Sequence, residues 1–422
     1  MTRSFSVVGA GLAGTLMALM LAEEGHQVEV LESRADPRIA GRVGGRSINL
    51  AISERGLHAL SEAGLDEEVL SHSVPMSGRM IHPVDGELVF QPYGQEGQAI
   101  NSVTRDHLND VLLRAADANP AITLTFDHRL VDISFPRRTI KHRDGGGNLF
   151  ERRFDTIVGA DGAYSNVRSE MQRRGAFNYS QSFIEHGYKE LNIPAADDGS
   201  FRMEPNALHI WPRGDRMMIA LPNMDGSFTV TIFWPMEGDR SFESIPDGDH
   251  TALRARFAEQ YPDVVDHLVD LESDYFDHHV GRMVTIKCWP WNDGGEAVLI
   301  GDASHAVVPF YGQGANAALE DCVLLRDAVR DHPSDMATAY QAFASARKND
   351  ADALADLALS NFVEMRDHVA TPEFLARKAR ERQLELTMPD KFTSLYSMVS
   401  FSRIPYADAV AKAAQQDRDL FS

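Results

Sequence analysis

The chain has 422 residues, 43% hydrophobic and 24% charged, the composition of a globular protein long enough to bury a large core. A formal net charge of -21 argues against a nucleic-acid partner, which needs positive charge to meet phosphate. Two cysteines, Cys288 and Cys322, lack CxxC spacing, so they read as small buried thiols in a reducing compartment, not as a disulfide framework or a zinc site.

From the N-terminus, Ser4–Val8 is predicted as a buried strand, Leu12–Glu24 as a helix and Gln27–Leu31 as a second strand, together a βαβ unit. Phe5 to Ala22 carries no charge and resembles a signal peptide or a membrane helix. Gly9, Gly11 and Gly14 interrupt it and Glu23-Glu24-Gly25 ends it, so a strand followed by a buried helix accounts for the same apolarity. No other stretch approaches the ~18 apolar residues of a span. The expected location is therefore cytoplasmic, with no membrane span. Arg34–Arg46 reads as a loop, with helices near Glu54–Ala63 and Arg105–Ala118 and a short strand at Asp155–Gly159.

Further along, Ala207–Trp211, Met217–Leu221 and Phe228–Phe233 are β-rich runs separated by turn signals, which predicts an antiparallel meander. Ala297–Ile300 is predicted as a strand, Ala315–Val329 as a helix, and the chain is mainly helical from Asp335. The fold class is thus α/β: a discontinuous Rossmann-like domain over 1–180 and 285–335, an inserted antiparallel β-sheet substrate domain over 181–284, and a helical C-terminal region over 336–422. Part of the substrate region is expected near 70–100.

Three motifs carry chemistry. In Gly9-x-Gly11-x-x-Gly14 the first glycine permits a tight turn, the second lets backbone approach a pyrophosphate at a helix N-terminus, and the third packs helix on strand. Glu32 closes the second strand about 20 positions after Gly11, where a ribose-hydroxyl ligand is expected. This motif alone leaves NAD and FAD open. The second motif contains Asp161-Gly162. The third runs from Gly301-Asp302 to Gly312, Gly314 and Asn316, with Asp302 placed to accept a second ribose hydroxyl and the glycines placed to approach a flavin ring. Taken singly, Asp161 has a second reading as a turn cap, and the glycines a second reading as packing turns.

In this order and spacing the three motifs resemble the flavoprotein aromatic hydroxylases built like para-hydroxybenzoate hydroxylase. That resemblance implies non-covalent FAD as the dinucleotide, NADPH as a transient co-substrate and O2 as the oxidant. It implies cofactor contacts from Gly9, Gly11, Leu12, Gly14, Glu32, Arg34, Ala51, Arg105, Asp161, Asp302, Gly312, Gly314 and Asn316. A closer likeness, to the kynurenine-hydroxylating branch of the family, lies in Gly45-Arg46-Ser-Ile-Asn-Leu-Ala51, Gly78-Arg79-Met80, Gln91-Pro92-Tyr93-Gly94, His186–Leu191, Glu204–Pro212, Asn361–Met365 and Tyr396–Arg403. It implies that Arg79, Tyr93, Asn361 and Tyr396 hold the amino-acid end of L-kynurenine and that Phe310 walls its ring. It also implies oxygen transfer from a C4a-hydroperoxyflavin to give 3-hydroxykynurenine in tryptophan catabolism, with no catalytic side chain and no metal. Two departures are Tyr311, where the family often has histidine, and Ser304-His305-Ala306 in place of an Ala-His-Pro-like stretch. Two alternatives are a hydroxylase of another anthranilate-like or phenolic acid, and a flavin-bound sensor without turnover. A homodimer is left open.

Overall fold

The N-terminal run forms the βαβ unit its pattern implies. Strand Ser4–Val8 is buried from Phe5 onward, and strand Gln27–Leu31 lies parallel beside it, Val30 opposite Val7. Helix Leu12–Glu23 is apolar almost all round, which suits a core helix. It packs between helices Arg105–Ala118 and Gly314–Asp331. The computed structural model describes residues 2–40, 49–85, 87–368 and 371–420. The predicted loop after the second strand contains a helical turn, Pro37–Ala40. Residues 41–48, with Gly45 and Arg46, lie outside the described residues.

Strand Thr156–Gly159 pairs in parallel with Ser4–Val8 on one side and with Ala297–Leu299 on the other. The full order is Asn292–Asp293, Ala297–Leu299, Thr156–Gly159, Ser4–Val8, Gln27–Leu31, Ile122–Thr125. The chain therefore leaves this sheet after Gly159 and returns only at Asn292. A three-stranded sheet, His128–Ser134, Thr139–Asp144 and Leu149–Arg153, was not predicted.

Between those points lies most of a seven-stranded sheet. The predicted meander is present as Ala207–Pro212, Met217–Pro222 and Phe228–Pro235. It is flanked by the 16-residue strand Asn178–Ile193 and by Gly281–Trp289. Beyond Ala207–Pro212 the sheet takes in Gly78–Ile81 and then Val89–Pro92. Gly78–Ile81 runs parallel to its neighbour, with Arg79 opposite Leu208. The period of two divides this sheet's faces. Met218, Ala220, Val230, Ile232 and Trp234 pack on Phe257, Tyr261 and Tyr275. Met217, Ile219, Thr231 and Phe233 face a cleft.

Helix Met336–Val363 spans 28 residues and passes into a π-helical turn, Glu364–His368. Helices Pro372–Thr387, Leu395–Ser400 and Tyr406–Leu420 follow, so the expected C-terminal helical region is present. Among the described residues no helix is long and apolar enough to cross a membrane. Cys288 and Cys322 are both free and buried, and each thiol donates to a backbone carbonyl, Ser304 and Ala13 respectively, at 3.2 Å.

Candidate cofactor and substrate cleft

A cleft of about 440 Å³ lies between the parallel sheet and the cleft face of the seven-stranded sheet. It is lined by Gly11, Leu12, Ala51, Arg105, Asp302, Gly312 and Gly314, and also by Arg79, Tyr93, Phe310 and Tyr396. Eleven expected site residues thus meet in one space. Gly9, Gly14, Glu32, Arg34, Asp161, Asn316 and Asn361 do not line it.

The three glycines of the first motif serve different ends. A Cβ on Gly14 would lie 1.9 Å from the Gly9 carbonyl oxygen, and one on Gly9, at φ +104°, would lie 2.4 Å from Ala160 O. Those two are closed against protein. A Cβ on Gly11 would meet nothing within 4 Å, because Gly11 faces the cleft at the start of helix Leu12–Glu23. Packing does not require glycine there, whereas an anion approaching the helix amides does.

Glu32 is buried beside the turn. Its Oε2 accepts from Ala10 N–H at 2.9 Å, and its Oε1 accepts from Arg34 N–H at 2.9 Å and Nε–H at 3.0 Å. Burial would raise its carboxyl, but these donors outweigh it and hold the group below its ordinary value. Asp302 follows strand Ala297–Leu299 and Gly301, exposed to the cleft yet ringed by protein. That enclosure pushes its carboxyl above the ordinary range, with Arg105 and His305 opposing.

Two expected cofactor residues have their side chains engaged elsewhere. The Asp161 carboxylate accepts from Ser165 Oγ at 2.5 Å, Asn166 N–H at 2.7 Å and Val167 N–H at 3.1 Å, which caps the start of helix Asn166–Gln172. The Asn316 amide accepts from Ser53 N–H and donates to Ala51 O and Gly312 O, all at 2.9 Å. It ties strand Asn49–Ile52, which carries Ala51, to the Gly312 turn, and both Ala51 and Gly312 line the cleft.

Arg79 is 6% exposed and makes no ion pair among the described residues. Its Nε lies 3.4 Å from Tyr93 Oη, and its guanidinium sits 5.1 Å from the centre of the Tyr396 ring. Tyr93 and Tyr396 stack at 4.7 Å, and Tyr311 lies 6.0 Å beyond Tyr396. These four residues form a wall shared with a second cavity of about 380 Å³, which Asn361, Glu364, Lys378, Glu381 and Arg382 also line. The Asn361 amide donates to Phe310 O at 2.7 Å, and Phe310 stacks on Phe362 at 4.2 Å. Asn361 therefore fixes the ring wall from behind.

Sequence reasoning missed Met217 and Phe233 as lining residues, although their alternation within the meander was visible, and missed Tyr311 as part of the wall. One open guanidinium, several phenols and apolar flanks suit a flat aromatic molecule bearing a carboxylate. The glycines in the lining suit a dinucleotide.

Residues 2–332 match the FAD binding domain family. Over 414 residues the chain is 47% identical to a kynurenine 3-monooxygenase of Myxococcus xanthus, covering 98% of this chain and 89% of that one. It is 45% identical over 420 residues to a kynurenine 3-monooxygenase of Anopheles gambiae, covering 98% and 85%. Among solved structures, 2-methyl-3-hydroxypyridine-5-carboxylic acid oxygenase matches with a TM-score of 0.71 at 22% identity, over 91% of this chain and 98% of that one. A probable FAD-dependent monooxygenase from Pseudomonas aeruginosa matches at 0.70 and 19% identity, over 90% and 100%. The likeness to these two structures concerns the fold.

Proposed function

The chain belongs to the FAD-binding kynurenine 3-monooxygenase family, and from that premise we propose that Arg79 grips the carboxylate of L-kynurenine in the cleft. The protein is an FAD-dependent aromatic monooxygenase using NADPH and O2. Bound FAD supplies the oxygen chemistry, through which one oxygen atom reaches the ring carbon beside the aniline nitrogen, giving 3-hydroxykynurenine, and the other leaves as water.

The chain's own residues bind, orient and enclose. Gly11 and the amides at the start of helix Leu12–Glu23 receive the pyrophosphate. Asp302, in the cleft wall, and Glu32, held beside the glycine turn by Ala10 N–H, accept ribose hydroxyls, and Gly312 and Gly314 bring backbone to the ring. Arg105 offsets the charge of Asp302. Asp161 and Asn316 hold the loops that carry these contacts. For the substrate, Tyr93 and Tyr396 complete the polar grip, while Phe310, set by Asn361, walls the ring. The aniline nitrogen of kynurenine supplies the electron density the ring needs, so no side-chain base is required. In this reading the FAD-binding unit comprises 1–180 and 285–335, the inserted sheet 181–284 and the helical region 336–422. Strands Asn178–Ile193 and Gly281–Trp289 pair across both joints.

The observation that carries this reading is a buried guanidinium that makes no ion pair among the described residues and opens on an aromatic cleft. L-Kynurenine should accelerate NADPH oxidation by the yellow protein, with a matching yield of 3-hydroxykynurenine. Faster, coupled turnover of another anthranilate-like or phenolic acid would replace kynurenine as the substrate.

A further inference from the structure

Strands Met217–Pro222 and Phe228–Pro235 line the cleft with Met217, Ile219, Leu221, Thr229, Thr231 and Phe233. Four of these six are apolar, and the two threonines differ in what their hydroxyls do. Thr229 Oγ1 donates to Asn49 Oδ1 at 3.0 Å and accepts from Asn223 Nδ2 at 3.2 Å, so it is engaged by protein. The Thr231 hydroxyl makes no hydrogen bond among the described residues, although the residue is buried and lines the cleft. Its cross-strand neighbours are Ile219 and Glu190. Two positions further on the same face stands Phe233, whose ring packs 5.0 Å from that of Phe310, the wall of the substrate ring. The nearby phenol of Tyr188 leans over Gly281 at the sheet edge, where an added Cβ would lie 2.3 Å from its ring.

A hydroxyl held bare among apolar side chains costs free energy until a partner arrives, and valine would fill the same space without that cost. The aromatic ring of kynurenine carries one polar group besides its acyl chain, the amine. The neighbouring ketone takes the inner N–H of that amine. The outer N–H has no partner within the molecule and lies on the side of the ring carbon that receives oxygen. Threonine Oγ has lone pairs to accept it. Arg79 stands opposite Leu208, which also lines the cleft, so Arg79 and Thr231 share one face of the sheet with two strands between theirs. At ~4.8 Å per strand they are roughly 14 Å apart across the sheet, room for an arginine arm, an ion pair and the length of kynurenine.

We propose that Thr231 recognises the ring amine of kynurenine, accepting its outer N–H while Arg79 holds the carboxylate. The molecule is then fixed at both ends, and the carbon beside the amine is the one presented for oxygen transfer. Accepting that hydrogen bond also leaves more electron density on the nitrogen and on the ring carbon beside it. A ligand without the amine leaves the hydroxyl unpaired, so Thr231 selects against it as well as for kynurenine.

The inference rests on the reading of the cleft as the kynurenine site. Dissociation constants should be measured on the FAD-loaded enzyme for L-kynurenine and for its analogue lacking only the ring amine, 2-amino-4-oxo-4-phenylbutanoate. The proteins compared are wild type, Thr231→Val and Thr231→Ser. Thr231→Val should lower the preference for kynurenine over the analogue roughly 3- to 10-fold, and bind the analogue at least as tightly as wild type does. Thr231→Ser, which keeps the hydroxyl, should retain most of that preference. The yield of 3-hydroxykynurenine per NADPH should fall in the valine variant and hold in the serine variant. Should Thr231→Val fail to hold FAD, Thr231→Ala against Thr231→Ser gives the same ratio. A variant without the hydroxyl that keeps the wild-type preference, or weakens both ligands alike, would overturn the assignment. Arg79→Ala should weaken both ligands, which share the carboxylate, and leave their ratio unchanged. If the cleft reading itself fails, kynurenine will not accelerate NADPH oxidation by wild type, whereas a failure confined to Thr231 leaves that acceleration intact.

Discussion

Arg79 and Arg347 are buried to similar depths, 6% and 2% exposed, in surroundings of opposite kind. Arg347 donates from Nε to Asp321 Oδ1 and from Nη1 to Glu320 Oε2, both at 2.8 Å. Glu320 is shared with Arg55 at 2.7 Å, and Asp321 Oδ2 also takes His305 Nε2 at 2.6 Å and Gly301 N–H at 2.9 Å. Arg55 in turn lies 4.0 Å over the Tyr406 ring. Every charge in that cluster has a protein partner. Arg79 has phenols, the unbonded charge of Glu364 and open space. A buried charge saturated by protein is architecture, whereas one left open, beside a cavity, is held for something that arrives.

The comparison makes the two arginines separable by experiment. Arg347→Ala leaves Asp321 and Glu320 short of a cation in the interior, so chemical denaturation should show a loss of roughly 3–5 kcal/mol. Arg79→Ala removes no protein ion pair, so its melting curve and FAD content should match wild type. Its kynurenine affinity should instead fall by about 30-fold or more, from a loss of roughly 2–5 kcal/mol. Arg79→Lys should recover only part of this, because an ammonium lacks the two-pronged contact. Decarboxylated kynurenine should bind wild type poorly and lose little more in the mutant. A large stability loss in Arg79→Ala would erase the distinction.

The same contrast recurs between two glycines. Gly14→Ala drives a methyl into the Gly9 carbonyl and should cost about 1–3 kcal/mol of stability even without flavin. Gly11→Ala meets no protein atom. Its flavin-free melting should stay near wild type while FAD titration shows weaker binding.

Legibility in the sequence followed chain distance. The βαβ unit, its glycines and Glu32 were readable because strand, turn and helix follow one another within about 30 residues. The meander was readable because alternation and turn residues are local. Asp161 was ambiguous on its face, and the residues that take its carboxylate, Ser165 to Val167, lie just downstream. What stayed hidden is long-range. Nothing local tells that Gly78–Ile81 joins Ala207–Pro212, or that His82, His209 and Asp263 meet. Asn316 and Asn361 were chosen as ligand contacts. The Asn316 amide and the Asn361 Nδ2 are engaged by backbone that only the completed fold brings near. The adjacent Glu320 and Asp321 on an otherwise largely apolar helix face were a visible sign of a buried cation that sequence reading passed over.

The break in the parallel sheet has a consequence for biosynthesis. Thr156–Gly159 finds Ser4–Val8 already made, but its other neighbour, Ala297–Leu299, leaves the ribosome well over a hundred residues later. At ~5–20 residues per second that is a delay of several seconds or more, with one edge of a strand that ends fully buried left uncovered. The nascent chain is therefore most prone to mispairing after its first motif is complete and before its last strand emerges. A chaperone that shields extended apolar segments would act in that interval.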